Sequence, residues 1–128
     1  MRPHGPAGVL VIEDDEISLE LVTVLLERMG HDVTGARSAE EAAGILDAAN
    51  PALLPALVIV DVRLPGRDGL TLTRQLRTDP KTAAIPVLAL TAHASLADRD
   101  AALDAGCTAW MTKPLDTRLL TQTLLALL

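Results

Sequence analysis

The chain has 128 residues, about half of them apolar, with one Trp, no Phe or Tyr, and a formal charge of −6. That length suits one domain with a single core, while the negative charge argues against direct nucleic-acid binding, which wants a basic footprint. The lone Cys107 excludes an internal disulfide and a cysteine metal cluster, and no apolar stretch approaches a membrane span.

Residues 1–7 read as a flexible leader, without the apolar core of a signal peptide, before a domain over 8–128. The expected location is cytoplasmic, with no membrane insertion. The first apolar run, Val9 to Ile12, predicts a strand over 8–13 that ends in Glu13-Asp14-Asp15. A helix over 16–29 follows, with Asp15 as its cap, Gly30 at its end, and Leu21, Val22, Leu25, Leu26 and Met29 as its core face. Ile17, Leu19 and Val24 exceed that set. Some must face outward, and an apolar patch there would suit the helices of a partner.

A second strand over 32–35 leads to a helix over 38–49, opened by a Ser38/Glu41 capping box and broken at Asn50-Pro51. Pro55 keeps the following connector irregular. The third strand, 57–61, ends in Asp61 and opens a turn carrying Pro65 and Gly69 before a helix over 68–78. The fourth, 86–90, ends at Thr91 and precedes a helix over 95–105 that stops at Gly106. The fifth, 108–112, reaches Lys113-Pro114, and a last helix runs over 115–127.

Repeated βα units with right-handed crossovers predict a doubly wound, five-stranded parallel α/β sheet in three layers. Periodicity does not give the strand order. The flavodoxin-like order 2-1-3-4-5 would bring the ends of strands 1 and 3 together, and with them Glu13, Asp14 and Asp61. Crowded carboxylates repel, so a cation must neutralise them or one must hold a proton. Mg2+ suits such an oxygen-rich place. One carboxylate can then attack phosphorus and form an acyl phosphate, with a lysine and the metal spreading charge over the phosphoryl oxygens. Asp61, Asp14, Glu13, Lys113 and Thr91 fit those roles.

Four segments carry a resemblance to a known family. They are Val9-Leu10-Val11-Ile12-Glu13-Asp14-Asp15, Ile59-Val60-Asp61-Val62-Arg63-Leu64-Pro65-Gly66-Arg67-Asp68-Gly69, Ile85-Pro86-Val87-Leu88-Ala89-Leu90-Thr91-Ala92 and Gly106-Cys107-Thr108-Ala109-Trp110-Met111-Thr112-Lys113-Pro114. With 30 residues from Asp61 to Thr91 and 22 from Thr91 to Lys113, the chain resembles a response-regulator receiver domain of two-component signalling. Stand-alone relay receivers and receivers of hybrid kinases look most similar. The resemblance implies that Asp61 is the phosphoacceptor and that Glu13, Asp14, Asp61 and the Arg63 backbone carbonyl hold Mg2+. It also implies that Lys113 binds the phosphoryl group, that Lys113-Pro114 is cis, and that Thr91 and Trp110 form the switch pair. Arg63 and His93 occupy positions that tune phosphoryl lifetime, and Ala92 leaves the phosphate room.

The implied partners are a histidine kinase or phosphotransfer protein and a downstream protein, with a homodimer through the fourth and fifth units among the expected assemblies. Such a module is not an enzyme in the usual sense, though self-catalysed phosphotransfer and autodephosphorylation are expected. Trp110 departs from the usual Tyr or Phe, Leu64 from a common Met, and Leu115 from Phe or Ile. A stand-alone regulator is the preferred reading. The alternatives are a receiver excised from a hybrid kinase or multidomain regulator, or a phosphorylation-independent interaction module. A haloacid-dehalogenase phosphatase would want an Asp at position 63, and a flavodoxin would not place Glu13-Asp14-Asp15 beside a phosphate.

Overall fold

The computed structural model describes residues 8–48, 54–64, 68–92 and 95–128. The chain alternates β1 (Gly8–Ile12), α1 (Glu16–Arg28), β2 (Asp32–Ala36), α2 (Ala39–Ala48), β3 (Leu57–Asp61), α3 (Gly69–Thr78), β4 (Val87–Thr91), α4 (Leu96–Ala105), β5 (Ala109–Thr112) and α5 (Thr117–Leu127). All neighbouring strands pair in parallel, in the order β2-β1-β3-β4-β5. The flavodoxin-like α/β fold is therefore as expected. The leader, the Asn50-Pro51 break, Pro65 and His93 lie outside the described residues.

Strand alternation divides the core into two apolar layers. Val9, Val11, Leu57, Ile59, Leu88 and Leu90 face one side, where Val22 and Leu26 of α1 and Leu120 and Leu124 of α5 cover them. Leu10, Ile12, Val58, Val60, Val87 and Ala89 face the other, under α2, α3 and α4. Both faces of β3 and β4 are buried, which is why these strands read as unbroken apolar runs.

Helix ends follow local chemistry. Asp15 caps α1 through Ser18 N–H, Asp68 caps α3 through Thr71 N–H, and Asp116 caps α5 through Arg118 and Leu119 N–H. The Ser38 hydroxyl accepts from Glu41 N–H, but the Glu41 carboxylate accepts from Arg37 N–H one residue earlier, so the capping box is half made. Gly30 and Gly106 take positive φ and close Schellman turns.

Helix α1 corrects the expected core. Only Val22 and Leu26 are buried, Leu25 and Met29 are half-buried, and Leu21 joins Ile17 and Val24 at the surface. Helix α1 shares its side of the sheet with α5 and buries only a narrow stripe, so Leu21 is left lining the groove between the two helices.

Candidate functional site

The C-terminal ends of β1, β3, β4 and β5 converge on one sheet edge. Glu13 follows β1 and is anchored by its N–H donating to Ala36 O of β2 at 2.9 Å. Asp61 ends β3, and the next amide, Val62 N–H, donates to Leu90 O of β4 at 2.9 Å. Lys113 N–H in turn donates to Thr91 O at 2.7 Å, which fastens the chain after β5 against the end of β4. Backbone bonds thus fasten the end of β1 to β2 and the ends of β3, β4 and β5 to one another.

The side chains meet inside this frame. Lys113 Nζ lies 2.5 Å from Glu13 Oε1 and 3.0 Å from Asp61 Oδ2. Asp61 Oδ1 accepts from Arg63 N–H at 2.9 Å. Glu13 is 1 % exposed and Asp61 is buried, whereas Asp14 faces solvent. One carboxylate oxygen from each of Glu13, Asp14 and Asp61 can be chosen so that all lie within 4.8 Å of one another. Thr91 is buried at the end of β4, opposite Thr112 of β5. Trp110 is half-buried against the α2/α3/α4 layer, the Arg63 side chain is exposed, and the Lys113-Pro114 peptide is cis.

Electrostatics follow from this packing. Burial is the largest influence on Glu13 and, with Asp61 beside it, outweighs Lys113 and pushes the carboxyl up to about 7. Burial alone would lower the Lys113 ammonium, but its bonds to Glu13 and Asp61 and their charges together hold it above the ordinary lysine value. Asp15 sits below the usual carboxylate range because Ser18 donates to it, which agrees with a capping role.

One atom stands out. Glu13 Oε2 is the only buried side-chain oxygen or nitrogen among the described residues without a hydrogen-bond partner. Such a group is costly unless something neutralises it. An oxygen-seeking cation held by Glu13, Asp14 and Asp61 would do so, so the donor set fits Mg2+.

In the metal-free protein, Glu13 titrates near its ordinary 4.5 when unfolded and near 7 when folded. Across that window the folded state holds the extra proton, so Glu13 erodes stability as pH rises and adds no further loss above it. Glu13→Gln should therefore lose less stability than wild type between about pH 5 and pH 8. Thermal melts in EDTA check this, and equal losses in both proteins would refute it.

Gly69 was legible in the sequence only as a turn residue. Its position matters more than that, because a Cβ there would lie 2.4 Å from Asp61 O and 2.8 Å from Val60 Cγ2. The first turn of α3 therefore rests directly on the backbone that presents Asp61.

Residues 9–125 match the response regulator receiver domain family. The chain belongs to that family. This receiver is 34% identical to the polar-differentiation response regulator DivK of Brucella anthropi over 110 residues, covering 86% of each chain. It is 37% identical over 108 residues to the DNA-binding dual master transcriptional regulator RpaA of Synechocystis sp., covering 84% of this chain but spanning only 43% of RpaA. The receiver domain of a signal transduction histidine kinase from Syntrophus aciditrophicus superposes with a TM-score of 0.84 at 30% identity, covering 94% of this chain and 89% of that one. The receiver is thus a two-component signalling module whose acidic cluster is of the kind that holds Mg2+. Among its described residues no helix is long and apolar enough to cross a membrane.

Proposed function

We propose that this receiver accepts a phosphoryl group on Asp61 from the phosphohistidine of a histidine kinase or phosphotransfer protein. The observation that carries the proposal is the buried Asp61 carboxylate, held at one oxygen by Arg63 N–H and at the other by Lys113, next to the unpartnered oxygen of Glu13. Glu13, Asp14, Asp61 and the Arg63 carbonyl would hold Mg2+, which when bound offsets negative charge on the phosphoryl oxygens.

In the transfer, an Asp61 oxygen forms the new P–O bond while the donor's P–N bond breaks. The electron pair leaves with the imidazole, which retains or gains its proton. Lys113 is already beside Asp61, so it can follow the phosphoryl oxygens without a large search of side-chain conformations. Its departure from Glu13 and the approach of Thr91 to the new oxygens would bias α4, β5 and Trp110 between two arrangements. Arg63, whose amide bonds Asp61, and His93, two residues after Thr91 in the sequence, are the candidates for tuning hydrolysis.

The exposed face of α1 supports docking of a partner's helices near the site. Ile17 is 79 % exposed, and Leu21 and Val24 line a groove of about 310 Å³ shared with Thr117 and Thr121 of α5. Exposed leucines on α4 and α5, among them Leu103 and Leu119, support a homodimer or a downstream protein contacting those helices. Residues 8–128 would act as one receiver domain, and the match over 86% of DivK supports a regulator that works through protein contacts. Coverage of less than half of RpaA supports the second reading, a receiver within a multidomain regulator.

Intact mass after incubation with acetyl phosphate tests the central step. One phosphoryl adduct is expected, dependent on Mg2+ and absent from Asp61→Asn. An adduct that survives in Asp61→Asn would move the acceptor elsewhere. No adduct from acetyl phosphate or a phosphohistidine donor, with no beryllofluoride response of Trp110 fluorescence, would favour an interaction module instead.

A further inference from the structure

The last turn of α3 carries a side chain that reaches three backbone carbonyls on two separate segments. Arg77 Nε donates to Gly106 O at 2.9 Å, and its Nη1 donates to Ala83 O at 3.1 Å and Ile85 O at 2.6 Å. Ala83 and Ile85 belong to the connector leading into β4, and Gly106 is the left-handed cap of α4. A Cβ on Gly106 would meet Arg77 Cγ at 2.7 Å, so the arginine stem lies flat against the cap. A planar guanidinium suits this multiple docking, because its donors are fixed relative to one another.

Helix α4 is held unevenly. Its buried residues are Ala102 and Ala105, both in the second half, and Cys107 N–H closes the turn onto Ala102 O at 3.0 Å. Ahead of Ala102, Leu96 is 69 % exposed, Ala97, Arg99 and Asp100 are exposed, and Asp98 and Ala101 are only half-buried. Ser95 caps that end through Asp98 N–H, but no side chain from 95 to 101 enters the core. Segments with few buried apolar contacts open locally at low free energy, whereas anchored ones open only with the whole domain.

We infer that Arg77 is a positioning residue that pins the C-terminal end of α4, so that the helix pivots at Gly106 and phosphorylation moves its first half alone. The regulatory part of this inference rests on the proposed receiver function. The pin itself does not. Residues far from the phosphoryl group would then set how far a change at Thr91 spreads: a firm pin confines it to the arm carrying Leu96, and a loosened pin sends it through the Gly106 turn into β5.

Residue-resolved amide exchange of the full chain tests both parts, with β1 and β3 amides as internal reference for global unfolding. In the free protein, amides of Arg99 to Ala101 should exchange about 10-fold faster than those of Leu103 to Cys107. Beryllofluoride with Mg2+ should change the first group and leave the second within about 2-fold. Arg77→Met should raise the second group to the level of the first without moving β1 and β3. Arg77→Lys, which retains the stem and charge, should give a smaller rise and substitutes if the Met variant does not fold. Uniform exchange along wild-type α4, or an equal rise everywhere in the variants, would overturn the pin. An Asp61 adduct whose effects spread evenly over 96–107 would overturn the pivot. The expected gradient without any adduct would support the pin and remove the receiver mechanism.

Discussion

Lys113→Met should destabilise the metal-free protein by about 3–5 kcal/mol where Glu13 is ionised, because breaking a buried ion pair leaves its partner uncompensated. Lys113 is the cation whose head group bridges Glu13 and Asp61, and Glu13 is almost wholly shielded from water. The variant can escape part of the penalty by protonating Glu13, which already leans that way. The loss should therefore be larger at about pH 8 than at pH 6. Mg2+ should restore more stability to the variant than to wild type, since the ion then supplies the missing positive charge. The same substitution should slow acetyl phosphate labelling of Asp61 by roughly 100-fold, a typical loss for one preorganised charge-stabilising group. Chemical denaturation in EDTA and in Mg2+, followed by labelling kinetics, measures both effects. A variant within about 0.5 kcal/mol of wild type at each pH would show that Lys113 is an ordinary surface lysine.

Gly69→Ala comes next in size. The added methyl would collide with the Asp61 carbonyl and the Val60 side chain, and neither can swing aside because both belong to the buried strand β3. Overpacking of this kind costs about 1–3 kcal/mol. Relief requires α3 to move off the sheet or the end of β3 to tilt, and either shifts Asp61 relative to Lys113. Labelling should therefore fall together with stability. Gly44→Ala in α2 is the matched control, because an added Cβ there meets nothing within 4 Å. It should stabilise by about 0.4–1 kcal/mol through the unfolded chain, with labelling unchanged. Equal melting of the two alanine variants would contradict the steric account.

Much of this architecture was written in the chain order of apolar runs and punctuation. Strand β3 occupies its expected residues, and the other elements begin and end within about two residues of their expected bounds, the usual uncertainty at frayed or capped ends. The displaced ends have local causes. Asp116 caps α5, so the helix starts later than expected, and Thr91 belongs to β4 because it pairs with Thr112. The acidic residues and Lys113 were legible because each ends a strand. Three features were not. The bridge from Lys113 to both Glu13 and Asp61 depends on side-chain directions across three strands. The contact of Gly69 with Asp61 depends on the approach angle of α3, and the reach of Arg77 to three carbonyls depends on loops that periodicity does not place. The outward turn of Leu21 belongs with these, since composition cannot say how wide a stripe the sheet will cover.

The aliphatic core has an optical consequence. With no Phe or Tyr in the sequence, Trp110 is the sole near-ultraviolet aromatic chromophore, and it sits in β5 three residues before Lys113. Near-ultraviolet circular dichroism and intrinsic emission of this protein therefore report on a single indole at one strand edge. Any change that reaches Trp110 can be followed on the unlabelled, unmutated chain, with no second such chromophore to subtract.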